Sequence, residues 1–302
     1  MNSKFKNINL IYRKLKISDY PEFKKLFYLC FKKKISLEFF KWRYFSNKLS
    51  FCYGAFNSTR LIANVGMISI KLNNNTYERV FSRHSSMVLE RYRGYGVFSN
   101  LLKMVKKKIS KNVDTVVMWP NKNNFANFGL ESKKILNKKY YLYKTTSNLA
   151  LFKKTRKYQI EELVKFKDLI KSRNGLFFKN FIYFKNRYLS YRKHEYFLNK
   201  FEFGKLSSFF LLKCNKDDSG LNYVILDHFG CEKIKSKHLS YLIKEYNKLI
   251  FISKKKINKS KFKLLNDLYF KIGFFKKFNL KQKKKLFSKE IYLGDTDIFI
   301  TI

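Results

Sequence analysis

The segment Met87–Lys108, MVLERYRGYGVFSNLLKMVKKK, constrains this chain more than any other stretch. A short apolar run ends in Arg93-Gly94-Tyr95-Gly96. Apolar residues then recur at Val97, Phe98, Leu101, Leu102, Val105 and Ile109. That spacing is the period of an amphipathic helix, so the segment predicts a strand that stops in a glycine turn and feeds a helix N-terminus. The first N–H groups of a helix have no intrahelical partner, and the helix dipole is positive there. Strand, turn and helix together make a cradle for an anion, and a pyrophosphate suits it.

The surrounding sequence supplies elements of both kinds. Ile11–Ile17 reads as a strand. Ser18 or Asp19 caps a helix that carries Pro21 in its first turn and runs to about Phe31. Leu37–Phe45 is a second short helix. Phe51–Phe56 and Leu61–Leu72 form a hairpin around Asn57-Ser58-Thr59, and Asn73-Asn74-Asn75 is the next turn. Arg79–Glu90 is the strand before the glycine turn, and Val97–Asn112 the helix after it. Thr115–Trp119 is a buried strand ending in Pro120-Asn121, followed by a short helix around Asn124–Glu131 and a strand region at Ile135–Thr146. The order predicts an α/β chain with a mixed sheet, of α+β type, in the first half.

After a Lys-rich connector near Lys153–Lys157 the chain turns strand-rich. Tyr196–Phe203, Ser208–Cys214 and Tyr223–Asp227 read as strands, His238–Lys248 as a helix, Leu249–Ser253 as a strand and Phe262–Phe270 as a helix. This order echoes the first half. FFKWRYFSN (Phe39–Asn47) is also echoed by YLSYRKHEY (Tyr188–Tyr196), each an aromatic-rich helix ahead of strands. We expect two domains, residues 1–150 and 151–302, the second a degenerate copy of the first.

Composition bears on partners. The formal charge is +45, which suits nucleic acid, an anionic membrane or a phosphorylated ligand. Yet Lys, Asn, Ile, Phe and Tyr are abundant together while Ala, Pro and Gly are scarce, the joint bias of an AT-rich coding sequence. Only 11 of the 66 basic residues are Arg, the residue preferred for bidentate phosphate and base contacts. We read most of the lysines as coding bias, with a polyanion surface as the competing account. Cys30, Cys52, Cys214 and Cys231 form no CxxC pair, the start of the chain shows no signal-peptide pattern, and no apolar run is long enough to span a membrane. The expectation is a cytoplasmic protein with free thiols. No Zn-type Cys/His spacing, P-loop or GxSxG motif occurs, so no metal is expected.

With those residues in view, the first half resembles the GNAT N-acetyltransferase superfamily. The resemblance rests on the strand–RGxG–helix unit MVLERYRGYGVFSNLL, the following strand ending in WPN with NFANFGL after it, and the opening pattern IYRKLKISDYPEFKKLF. It covers roughly residues 8–148. FFKWRYFSN together with WPNKNNF is similar to the bacterial branch associated with polysaccharide biosynthesis. The family's cofactor motif is Arg/Gln-x-x-Gly-x-Gly/Ala. With Arg93 as its first residue, Gly96 matches and Phe98 stands where Gly or Ala is usual. The pattern also fits at Arg91, Gly94 and Gly96, but the Arg93 register starts the helix where the apolar periodicity starts.

The resemblance implies that this turn holds the pyrophosphate of acetyl-CoA, with no metal, and that the acyl group passes directly to an amine. N–H groups of Tyr95, Gly96, Val97, Phe98 and Ser99 converge on the diphosphate and Arg93 adds charge. It further implies that a backbone N–H of Met87, Val88 or Leu89 polarises the thioester carbonyl, and that a β-bulge splays this strand from the next to admit the pantetheine arm. His84 and Glu90 are the candidate bases on that strand. His84 is also readable as a half-buried histidine making one hydrogen bond, and Glu90 as a partner of Arg91 or Arg93. The family's acid is often a Tyr after the WPN strand, which makes Tyr141 and Tyr143 candidates, with Tyr140 beside them. Asn121 and Asn124 follow a strand end where ligands bind in open sheets, and are equally a turn and a helix cap. Asp227-His228 and Gly294-Asp295-Thr296-Asp297 are carboxylate-bearing candidates for orienting an amine, or ordinary strand-end and turn residues.

The expected activity is N-acyltransfer from acetyl-CoA to a small primary amine, with an amino sugar as the guess and the second half walling the acceptor pocket. Three readings compete: a basic nucleic-acid-binding protein, an aminoacyl transferase that takes charged tRNA as donor, and a catalytically dead scaffold.

Overall fold

The computed structural model describes residues 9–46, 50–70, 80–109, 115–120, 134–145, 155–170, 180–189, 195–217, 220–246, 248–253, 256–257 and 262–274. They form two compact units. One comprises Met1–Lys71, Thr76–Asn137 and Lys271–Phe278, the other Leu72–Asn75, Lys138–Phe270 and Asn279–Ile302. The expected boundary at residue 150 lies outside the described residues, and the units themselves change over earlier, between Asn137 and Lys138.

The first unit opens with β1 (Leu10–Lys14), a 3-10 turn at Ile17–Asp19, α1 (Tyr20–Phe31) and α2 (Leu37–Phe45). Pro21 sits in the first turn of α1, where a missing N–H is harmless. Asp19 precedes α1 but does not cap it through its side chain. Its carboxylate instead takes two 2.7 Å bonds from Arg13 and one from the Lys16 N–H. The Arg13 hydrogen bonds hold that carboxyl below the usual carboxylate range. Ser36 does cap α2, accepting from the Phe39 N–H.

Then come β2 (Phe51–Asn57), β3 (Arg60–Ile70), β4 (Val80–Val88), α3 (Val97–Ile109) and β5 (Thr115–Met118). The β2–β3 turn needs only Ser58 and Thr59, one residue fewer than expected. The sheet order is β1-β2-β3-β4-β5, with β12 (Phe262–Phe274) beyond β5. All neighbours are antiparallel except β4 and β5. The core is aromatic: Phe23, Phe40 and Tyr44 from the two helices are almost fully buried, with Phe23 and Phe40 ring centroids 4.6 Å apart. Burying each such ring contributes about 2–3 kcal/mol.

The second unit contains β6 (Lys134–Thr145) from Lys138 on, β7 (Arg156–Gln159), a 3-10 helix at Ile160–Leu169, α4 (Phe181–Phe184) continuing as a π-turn to Leu189, β8 (Glu195–Phe203), β9 (Leu206–Asp217), β10 (Gly220–Gly230), α5 (Lys235–Glu245) and β11 (Leu249–Ser253). Its sheet order is β7-β8-β9-β10-β11-β6, and only β10 and β11 are parallel.

Two expectations are corrected. Phe262–Phe270 is not a helix but most of β12, whose end pairs with β5 from Lys271↔Met118 to Phe274↔Thr115. The expected aromatic helix at Tyr188–Tyr196 does not reach its end, because Glu195 and Tyr196 open β8, while residues 190–194 lie outside the described residues. The expected turn at Asn73–Asn75 and helix around Asn124–Glu131 lie outside the described residues.

Candidate active site

β4 and β5 run side by side only from Val80↔Thr115 to Arg83↔Met118. β4 continues to Val88 with β3 as its partner, so its other edge has no ladder partner beyond Arg83 among the described residues. The β3–β4 register slips by one residue between Asn64↔Met87 and Gly66↔His84. Ser85 lies inside this bulge with φ 46°, left-handed for a residue that has a Cβ. The expected bulge is therefore present, on the side of β4 that faces β3.

The three candidate donors differ. The Leu89 N–H donates to the Ile62 carbonyl at 2.9 Å and is occupied. Hydrogen-bonding residues alternate along an antiparallel pair, so Met87 also faces β3 and Val88 faces the open edge. The Val88 carbonyl agrees: it accepts from Arg93 Nε at 3.2 Å and from the Cys30 thiol at 3.7 Å. Val88 is the donor this geometry selects.

Between β4 and α3 lies one 3-10 turn, Glu90–Tyr92, pinned by the buried Tyr92, whose hydroxyl accepts from Asn57 Nδ2 at 2.9 Å. Glu90 is exposed, and its carbonyl accepts the Arg93 N–H. Arg93, Gly94, Tyr95 and Gly96 are exposed. Gly94 (φ 83°) and Gly96 (φ 72°) are left-handed, and a Cβ at either would meet nothing within 4 Å. The Gly96 carbonyl accepts the Asn100 N–H, which makes Val97, Phe98 and Ser99 the first helical residues, their N–H groups without an intrahelical partner. Val97 is buried, Ser99 is exposed and Phe98 is half-buried. The Phe98 ring lies 5.9 Å from the guanidinium of Arg83, whose pKa burial lowers to about 10, still charged at neutral pH. The bend is exposed, and it puts the first N–H groups of α3, which lack an intrahelical partner, at the head of an amphipathic helix.

The acid–base candidates differ in their settings, and of them Glu90 alone is exposed, in the turn that follows β4. His84 is buried and its Nδ1 lies 2.9 Å from Arg43 Nη2. A guanidinium only donates, so Nδ1 accepts and the ring proton sits on Nε2. Accepting another proton would break that bond and set a second cation beside Arg43. His84 is thus poorly built as a base. Tyr143 is 1% exposed within the second unit's core, against Phe197, Phe210 and Leu212, and its hydroxyl accepts the Ile257 N–H at 2.7 Å. Tyr141, half-buried, belongs to the same strand and pairs with Ser253. Asp227 and His228 are wholly buried, Asp227 accepting from the Tyr188 hydroxyl. Asn121, Asn124 and the Gly294–Asp297 turn lie outside the described residues. No cluster of three or more metal-ligating side chains occurs among the described residues, and no helix among them is long and apolar enough to cross a membrane.

Sequence reasoning missed the groups beneath the bulge. Tyr44 bonds Ser85 Oγ, and Asn64 Nδ2 donates to the Ser85 carbonyl at 3.0 Å. The one visible signal was Gly66 inside an apolar strand.

A parallel strand pair whose ladder ends early is followed here by an exposed glycine turn and a helix, and residues 11–129 match the model of the acetyltransferase (GNAT) domain family. The fold is similar to that of a GCN5-related N-acetyltransferase from Anabaena variabilis ATCC 29413 (TM-score 0.65, 9% identity, covering 89% of this chain and 73% of that one). It is also similar to a conserved protein of unknown function from Enterococcus faecalis V583 (TM-score 0.60, 13% identity, 88% and 72% covered). A third similar structure is a GCN5-related N-acetyltransferase from Kribbella flavida (TM-score 0.57, 10% identity, 88% and 72% covered). No curated protein sequence matches the chain.

Proposed function

We propose that the chain transfers an acetyl group from acetyl-CoA directly to a primary amine, that of an amino sugar in polysaccharide assembly. The observation that carries this reading is the open bend at Arg93–Ser99, placed directly after a strand edge that β5 has left. Amides of Gly96, Val97, Phe98 and Ser99 face the diphosphate, with the helix dipole behind them. The pantetheine arm runs along the open edge of β4, and the Val88 N–H meets the thioester oxygen as negative charge develops there. Arg93, tied to the Val88 carbonyl, stands between the two subsites. No acid or base is assigned to His84 or Tyr143, for the reasons above. The sugar acceptor and the polysaccharide setting rest on the resemblance of FFKWRYFSN and WPNKNNF alone.

Thermal melting with acetyl-CoA tests the reading. Ligand at about 100 times its dissociation constant adds roughly 2.7 kcal/mol to stability, so the melting temperature should rise clearly. Gly96→Glu places a carboxylate in the diphosphate seat and should abolish the rise. A protein that ignores every acyl-CoA, yet binds RNA with steep salt dependence, is instead a nucleic-acid-binding protein.

A further inference from the structure

The bulge in β4 is held by a set of groups the acyl-transfer reading does not use. Ser85 takes a left-handed conformation (φ 46°) in the middle of a strand, which is strained for a residue with a Cβ. Two side chains bear on it. Asn64, fully buried on β3, donates to its carbonyl at 3.0 Å. Tyr44, buried on α2, is hydrogen-bonded to its hydroxyl. Burial keeps the Tyr44 phenol neutral by pushing its pKa up. The ring reaches Ser85 only because residue 66 is glycine: a Cβ there would lie 2.6 Å from Tyr44 Cε1.

The bulge decides which way the later backbone faces. One extra residue in a strand exchanges the roles of its two edges for everything that follows. With the extra residue, Leu89 bonds β3 and Val88 turns to the open side. Without it, Val88 would pair with β3 and its N–H would be spent there.

We propose that Tyr44, Asn64 and Ser85 form a positioning clamp whose role is to aim the Val88 N–H at the thioester carbonyl. The clamp rests on the acyl-transfer reading for its purpose, and on this geometry for its existence. It acts on carbonyl polarisation, not on affinity, because the diphosphate is held separately at Gly96–Ser99.

The test follows the carbonyl directly. Acetyl-CoA labelled with 13C at the thioester carbonyl is titrated into the full-length protein, reading affinity and the bound carbonyl resonance together. In the wild type that resonance should move downfield on binding. Ser85→Ala and Tyr44→Phe, which remove the same hydrogen bond from its two ends, should each lose about half of that displacement or more, with the dissociation constant changing no more than about threefold because the cradle's uniform binding is kept. Ser85→Gly adopts the left-handed conformation without strain and should keep more of the displacement than Ser85→Ala. Ser85→Ala, which deletes a single oxygen at a half-buried site, carries the test if Tyr44→Phe does not fold. Full displacement in Ser85→Ala, or equal loss in the Ala and Gly variants, overturns the clamp. A wild type that does not bind labelled acetyl-CoA overturns the proposed function instead, and a wild type that binds with no downfield movement overturns the aim assigned to Val88.

Discussion

Two glycines show how differently one residue type can be required. Gly94 and Gly230 share a left-handed backbone, φ 83° and 92°. A Cβ at Gly94 meets nothing within 4 Å, whereas at Gly230 it would lie 2.6 Å from the Ser207 carbonyl oxygen. That carbonyl is itself fixed, accepting the Cys231 N–H at 2.7 Å. Gly94→Ala should therefore cost only the left-handed strain, about 1–2 kcal/mol. Gly230→Ala must also displace backbone and should cost about 3 kcal/mol or more. Denaturant midpoints of the two variants check this, and equal losses would mean that the Ser207 approach is not fixed. The need for Gly94 was legible, because Arg-Gly-x-Gly is a local pattern next to a periodic helix. The need for Gly230 was not, since it arises from the close approach of another strand. The same limit applies to His84. Its place on the strand was legible, but its partner Arg43 comes from α2, and that partner decides which ring nitrogen carries the proton.

At the scale of elements, patterns that depend on neighbours in sequence were readable and those set by distant neighbours were not. The 3.6-residue spacing from Val97 gave α3 its start, and Leu37–Phe45 and Leu249–Ser253 fall where expected. β12 was misread because Phe262–Phe270 is apolar without a clear period, and its pairing partner is far away in the chain. The buried polar run in the second unit was likewise hidden. Asn199 Oδ1 can only accept, so His238 Nε2, 2.8 Å away, donates and Nδ1 accepts from Ser208 Oγ at 3.0 Å. Ser208 Oγ then accepts from His228 Nε2 at 2.9 Å, and His228 Nδ1 faces Glu232 at 3.3 Å. Burial, with the nearby His228, lowers the His238 pKa to about 3 and so keeps the ring neutral, which is what gives the chain this direction. An unfolded histidine titrates near 6.5, so the unfolded chain takes up the proton first as pH falls. The contribution is fully present above about pH 6.5 and is lost progressively toward pH 3, by at most about 1.4 kcal/mol per pH unit. His238→Gln should be less stable at neutral pH but should show a shallower fall in melting temperature between pH 6.5 and 4. An acid limb as steep in the variant as in the wild type would assign the pH dependence to other groups.

At the scale of the molecule the two units share one plan. Each has a strand, helical turns, a three-stranded antiparallel meander with a one-residue slip in its last strand, a 3-10 turn, a helix and a parallel strand. The slip lies between Asn64 and Gly66 on β3 in one unit, and between Ile225 and Asp227 on β10 in the other. The units differ at the cradle. Glu232–Ile234 leads straight into α5, with no glycine turn like Arg93–Gly96. The echo was legible in element order. What was not legible is that the sixth strand of each unit comes from the other half of the sequence: β6 completes the second unit and the end of β12 the first. A chain cut after Lys261 should therefore harm the first unit, far from the cut in sequence. Thr115–Met118 of β5 is at most 1% exposed, and without Lys271–Phe274 its edge is unpaired and open to aggregation. Trp42 and Trp119, the chain's two tryptophans, both lie in the first unit, so tryptophan fluorescence reads that unit alone. Truncation should lower the fluorescence melting temperature by about 10 °C or more, as a loss of several kcal/mol does in a domain of this size, and should remove the acetyl-CoA shift. If the halves were independent in sequence order, the fluorescence transition and the shift would both survive the cut, and the exchange of sixth strands would have to be abandoned.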